Sequence, residues 1–145
     1  MLLKKLALCL GLFVSFFLFA AISQAQVDLD SVTEEQLTKE GPLTQQDLDL
    51  YLKFYDASAS NLSKPDFDMV KFTTDFIKDN KLTTVRLRYL LEKIPMTMMA
   101  LSSKADNSDK LPAYIKASPA EKKLIETNMS KIVAAMQKIQ ASQSK

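Results

Sequence analysis

The chain has no histidine, no tryptophan, one cysteine and two glycines among its 145 residues. Each shortage removes a class of chemistry. Without histidine, the side chain that titrates near neutral pH and ligates most transition metals is missing. Cys9 lies inside an apolar leader, so the sequence beyond it has no thiol for a disulfide, a haem attachment or a thiolate metal site. Gly11 belongs to the same leader, and Gly41 is the glycine that remains. Phosphate-cradling loops and dinucleotide fingerprints need several glycines, because backbone must approach the ligand closely. Both are excluded.

An excess of charge is missing as well. The 19 Lys+Arg stand against 17 Asp+Glu, and once Lys4 and Lys5 are set aside the two signs balance. Nothing in that balance recommends nucleic acid or an anionic membrane as a partner.

What is present begins with the leader. Met1 to Lys5 form a short basic start, Leu6 to Ile22 are almost unbroken apolar sequence, and Ser23-Gln24-Ala25 puts small residues where a signal peptidase reads. The expectation is a secretory signal peptide over residues 1–25, cleaved after Ala25. The product is then periplasmic or secreted and keeps no membrane segment. The apolar run is long enough that retention as an anchor is the alternative. A lipoprotein is disfavoured, because Leu8 stands before Cys9 where a small residue is required. The roughly 120 residues that follow suffice for one modest domain.

Those residues read as helix throughout. Ala, Leu, Lys, Met and Gln are frequent, and the apolar spacing is helical rather than alternating. Ser31-Val32-Thr33-Glu34 has the capping-box form and opens a short helix that Gly41 and Pro42 stop. Thr44 to Asp47 caps a helix to about Asn61, and Ser63-Lys64-Pro65-Asp66 opens a third to about Asn80. Thr83 or Thr84 starts a fourth that reaches Ser102. A short helical piece around Pro112 to Lys116 follows a polar loop. Ser118-Pro119-Ala120-Glu121 then starts the last helix with a serine cap, an early proline and a returning glutamate. The fold class expected is an all-α bundle of about four main helices plus short accessory helices. An acidic segment with a short helix occupies 26–42, and the bundle domain occupies 43–145.

Helical angles sort these helices by how much surface each must bury. The last one carries a single stripe of Ile125, Met129, Ile132, Val133, Met136 and Ile139. The second carries Leu48, Tyr51, Leu52 and Tyr55 on one side, with Leu50 and Phe54 opposite. Residues 67–77 spread Phe67, Met69, Val70, Phe72, Phe76 and Ile77 over more than half the circumference. These two helices need cover on two sides, from neighbours or from a second copy in a homodimer. Charge is segregated too: the segment 26–41 is acidic, and the last helix is rich in lysine. Two solvated faces that attract each other within the fold account for that pattern, and a basic helix for an acidic partner is the alternative.

Ile94-Pro95-Met96-Thr97-Met98-Met99 raises the sharpest question of the sequence. Isoleucine is a poor cap, and Met96 to Ser102 is too short to stand alone, so a kinked but continuous helix is expected. By phase, Met98 joins Leu87, Leu90, Leu91, Ile94 and Leu101. Met96 falls with Leu82, Val85 and Tyr89, and Met99 lies nearer Met96. Flexible thioethers suit the irregular space beside a kink, suit an adaptable apolar groove, and are ligands for Cu(I). Copper needs converging sulfurs, which this split triplet does not supply locally, so no metal site is assigned.

Other candidate chemistry is weak. Asp28/Asp30, Asp47/Asp49 and Asp66/Asp68 lack the further oxygens and the glycine of a calcium loop, and on a helix residues two apart point about 200° apart. They read as acids favoured at helix starts. No nucleophile elbow or Ser-x-x-Lys is present. Tyr51, Tyr55, Tyr89 and Tyr114 sit on helical stripes as amphipathic core edges.

Val32-Thr33-Glu34-Glu35-Gln36 and Leu43-Thr44-Gln45-Gln46-Asp47 each match all but one position of a Leu-Thr-x-x-Gln segment. In those ten residues the chain resembles a family of small, exported, all-α periplasmic chaperones, and the resemblance implies a holder of unfolded clients. The chain departs from the family in having its two segments adjacent and its mature charge neutral. Any capped helix beginning Leu-Thr imitates the motif.

The reading is therefore a non-enzymatic, exported, helical accessory factor of the cell envelope that works by binding a protein partner or itself. Its contact residues are expected to be Leu50, Phe54, Met96 and Met99, with no catalytic residue, no metal and no cofactor. A chaperone-like holder is the first alternative, and a carrier of a small ligand or Cu(I) through methionine is the second.

Overall fold

The computed structural model describes residues 29–103 and 111–143; the expected signal peptide lies outside them. The described residues form an all-α domain. The helices are α1 (Glu34–Thr38), α2 (Gln45–Asn61), α3 (Met69–Asp79), α4 (Thr84–Ser102) and α5 (Pro119–Gln143), with a 3₁₀ turn over Ala113–Ile115 before α5.

Local chemistry sets the ends. Thr33 and Gln36 close a reciprocal capping box on α1, and Thr44 and Asp47 close one on α2. The two Leu-Thr-like segments of the sequence are these two boxes. Thr83 caps α4, and Ser118 with Glu121 forms the box that opens α5. Two starts differ from expectation. The α1 cap is Thr33 rather than Ser31, because the returning side chain is Gln36. The third helix begins at Met69 rather than near Ser63, since it is the Asp68 carboxylate that accepts from the Lys71 amide, at 3.0 Å. Between α3 and α4 the chain reverses sharply: Lys81 sits at φ 54°, and the Leu82 amide reaches back to the carbonyl of Ile77 at 2.9 Å.

Helices α2, α4 and α5 make the centre. Leu48, Tyr51 and Tyr55 of α2, Leu87, Leu90, Leu91, Ile94 and Met98 of α4, and Ile125, Ile132, Ala135 and Met136 of α5 share one buried cluster. The broadest contact joins α2 to α5. The apolar excess of α2 and α3 is resolved within the chain. Phe54, on the side of α2 away from Leu48, meets Phe72 and Phe76 of α3 with ring centroids 5.4 and 5.1 Å apart, the latter edge-on. Lys53 adds a bond to Asn80 at 2.8 Å.

Residues 29–43 lie along α4 as an arm, and Leu29, Val32, Leu37 and Leu43 enter the same core. The attraction expected between this acidic arm and the lysines of α5 is answered elsewhere. Glu40 pairs with Arg86 of α4, while Lys138 of α5 pairs with Asp56 of α2. Helix α4 runs unbroken through Pro95, as its poor internal cap requires.

Candidate functional site

One side of α4 carries nearly all the unusual chemistry, in two parts. Arg86, Tyr89 and Lys93 follow one another at three- and four-residue steps and so share a stripe, with Arg88 and Glu92 beside it. Other segments engage every one of them except Tyr89, which its own stripe answers. The Arg86 guanidinium uses its whole fork: Nε and Nη2 donate to Asp47 at 3.0 and 2.6 Å, Nη1 to Glu40 at 3.1 Å and the Gly41 carbonyl at 2.9 Å, and Nη2 again to the Pro42 carbonyl at 3.1 Å. Five donors meet five acceptors, the full inventory of an arginine. Its carbon also stands 5.0 Å from the centre of the Tyr89 ring, a cation–π distance.

Arg88 donates to the carbonyls of Leu29 and Val32 at 2.6 and 3.0 Å and to Glu92 at 2.8 Å. Glu92 also accepts from the Tyr114 hydroxyl at 2.6 Å, which ties in the 3₁₀ turn. Lys93 is almost wholly buried. It donates to the Tyr89 hydroxyl and to Glu121, both at 2.8 Å. Glu121 in turn accepts from the amides of Leu43 at 2.8 Å and Ser118 at 2.7 Å. One carboxylate thus joins arm, α4 and α5.

The electrostatics follow from that wiring. Burial works against ionisation of Asp47, but the Arg86 fork and the Thr44 hydroxyl and amide outweigh it and hold the carboxyl below its ordinary range. Glu121 is shifted the same way: burial opposes its charge, and Lys93 with the two backbone amides overcomes that. Burial, reinforced by the bond to Glu92, pushes the Tyr114 phenol up. These groups are fully occupied with one another, which is the condition of a joint.

Seven residues beyond Tyr89 and Glu92 on the same side come Met96 and Met99. A step of seven returns a helix to nearly the same angle, so they continue the surface that the arm covers. Met99 is 37% exposed, the exposed large apolar side chain among the described residues, and Met96 is half-buried. Met98, between them in sequence, turns inward into the core. Helical phase separates these three in the same way.

The other two expected contact residues lie on α2. Leu50 is half-buried and packs against the core, and Phe54 is only 5% exposed beneath the rings of α3. Phe54 therefore serves the chain's own packing, on a different helix from Met96 and Met99. Sequence pattern does not single out Arg86, Arg88 or Lys93, and it marks Glu121 only as the returning glutamate of a helix cap. Several of their partners are 39 to 78 residues away, beyond any local signal.

Two further features bear on chemistry. The rings of Tyr51 and Tyr55 lie 4.5 Å apart deep in the core, and their hydroxyls have no hydrogen-bond partner of good geometry. Burial raises both phenols, Tyr55 further through its neighbour Tyr51. Among the described residues no group of three or more acidic, histidine or cysteine side chains is placed to hold a metal, and no helix is long and apolar enough to cross a membrane. Compared with models of protein families, with curated proteins and with solved structures, the chain matches none of them.

Proposed function

We propose that this is an exported, non-catalytic helical protein that binds a protein partner in the cell envelope through the outer half of α4, around Met96 and Met99. The observation that carries the reading is the split along one helix face. Up to Glu92 and Lys93 the face is matched by the chain itself; one turn further on it presents thioethers that the core does not use. Methionine suits such a surface because its unbranched, polarisable side chain repacks against partners of different shape. Export rests on the basic start, the apolar run and the small residues at Ser23 and Ala25.

The test is a photo-crosslinking amino acid placed at Met99, with a control at Lys123 on the exposed face of α5. Protein recovered from the compartment of export is then read by mass spectrometry. The expected result is a mature chain beginning at Gln26 and one discrete adduct at position 99, absent at 123 and lost when Met96→Ser is added. A smear of unrelated adducts at 99 would favour the holder of unfolded clients instead. No adduct there, or equal adducts at both positions, would remove α4 as the contact surface. A Cu(I) adduct that disappears with M96S would transfer the site to metal carriage.

A further inference from the structure

The bundle offers an oxidant few soft targets. The chain has no histidine and no tryptophan, and its one cysteine lies in the leader, so beyond residue 25 the most readily oxidised atoms are methionine sulfurs. The fold then ranks those sulfurs. Met69, Met98 and Met136 are buried, Met96 and Met129 are half-buried, and Met99 reaches solvent. Met98 and Met99 are neighbours in sequence, yet one is 8% exposed and the other 37%. Oxidation turns a thioether into a polar sulfoxide. At Met98 the new S–O dipole would lie in the core; at Met99 it would lie in solvent and leave the packing intact. The guanidinium, ammonium and carboxylate groups that tie the first half of α4 to the arm are not oxidised by peroxide. The half of α4 that fixes the fold is thus inert, and the half that presents thioethers is reactive.

We propose that Met99 is a reversible oxidation site whose sulfoxide switches off the contact surface on the outer half of α4, a regulation that rests on that surface being a contact. The oxidant is hydrogen peroxide. A lone pair of the Met99 sulfur attacks one peroxide oxygen, and the S–O bond forms as the O–O bond breaks. The proton on the transferred oxygen goes to the departing hydroxide, which leaves as water. Sulfur is oxidised and the peroxide is reduced. A dithiol reverses the step: it removes the oxygen as water and becomes a disulfide. In the oxidised state a strong hydrogen-bond acceptor stands where a partner has to lay apolar surface, and burying it unpaired opposes binding.

The folded mature chain, carrying a photo-crosslinking amino acid at the exposed Ala100, is treated with hydrogen peroxide and quenched with catalase. Peptide mass mapping reads the sulfurs, circular dichroism reads the fold, and irradiation with the envelope fraction reads the adduct. Met99 should gain its oxygen about tenfold faster than Met98 or Met136, with the helical signal unchanged. The adduct should fall about tenfold or more, and return after treatment with methionine sulfoxide reductase and a dithiol. In the Met99→Leu variant it should resist peroxide. Met98 or Met136 oxidised as fast as Met99, or a bundle that unfolds as Met99 reacts, overturns the proposal. So does an equal loss of adduct in Met99→Leu, which would place the sensitive group elsewhere. An adduct that survives oxidation of Met99 removes the switch and leaves the contact standing. No adduct from the untreated chain removes the contact and the switch together.

Discussion

The two halves of α4 share a helix and a face, yet they differ in what they demand of the rest of the chain. From Thr84 to Lys93 the face carries two guanidiniums, a phenol, a carboxylate and an ammonium, and each has a defined partner, for all but the phenol in another segment. From Ile94 to Ser102 the same face carries thioethers and leaves Met99 exposed. A buried polar group requires a specific partner with good geometry, since leaving it unpaired costs its full desolvation. An apolar thioether requires only something to lie against. The first half therefore specifies where the arm and the start of α5 must go. The second half is less selective about what lies against it, which suits it to an adaptable contact.

The contrast breaks most severely at Glu121. Replacing it with alanine strands Lys93 in the interior and removes both a cap and the arm's last anchor, an expected loss of about 3–5 kcal/mol in urea unfolding. The same site sets the acid limit. Asp47 and Glu121 have folded pKa values below their unfolded ones, so their contribution is fully present above the unfolded carboxylate range and is lost as pH falls through the folded values. Stability measured against pH should be level above about pH 5 and decline below about pH 4.

Adjacent methionines give the next contrast. Met98→Ala should cost about 2–3 kcal/mol, because it opens a cavity in the core, whereas Met99→Ala should stay within about 0.5 kcal/mol. Equal effects at the two positions would mean that the fold holds Met99 as firmly as it holds Met98.

Arg86→Lys keeps the charge and discards the fork. A compact ammonium has three donors and cannot span Asp47, Glu40 and the two loop carbonyls together, so about 1–2 kcal/mol should be lost. Hydrogen exchange should rise in the arm before it rises in α5. Uniform loosening would show that the arm is not a separable element.

The smallest effect concerns the tyrosine pair. With no bond to lose, Tyr51→Phe should be neutral or stabilising by up to about 1 kcal/mol, and clear destabilisation would reveal a partner for the hydroxyl. The phenols of Tyr51, Tyr55 and Tyr114 are raised, so their contribution is intact below about pH 10 and lost above it as the unfolded chain ionises. Ultraviolet titration should show these three ionising late, together with alkaline unfolding.

Much of the fold is legible in the residues because its signals are local. A threonine with a glutamine or aspartate three positions on, or a serine with a glutamate, closes a cap within one turn whatever surrounds it, and α1, α2 and α5 begin where such signals lie, while α4 begins at the lone threonine cap of Thr83. The phase of an α-helix is equally local, so the inward turn of Met98 and the outward turn of Met96 and Met99 follow from spacing alone. The start of α3 is displaced because Ser63, with Asp66 three positions on, and Asp68 both offer caps, and only geometry chooses Asp68. Tertiary structure alone decided that Phe54 faces α3 rather than a partner, and that the acidic arm is claimed by Arg86 and Arg88 instead of by the lysines of α5. Those outcomes join groups some 20 to 80 residues apart, where Coulomb attraction is indifferent to which opposite charge answers it and only the packed geometry of the bundle selects one.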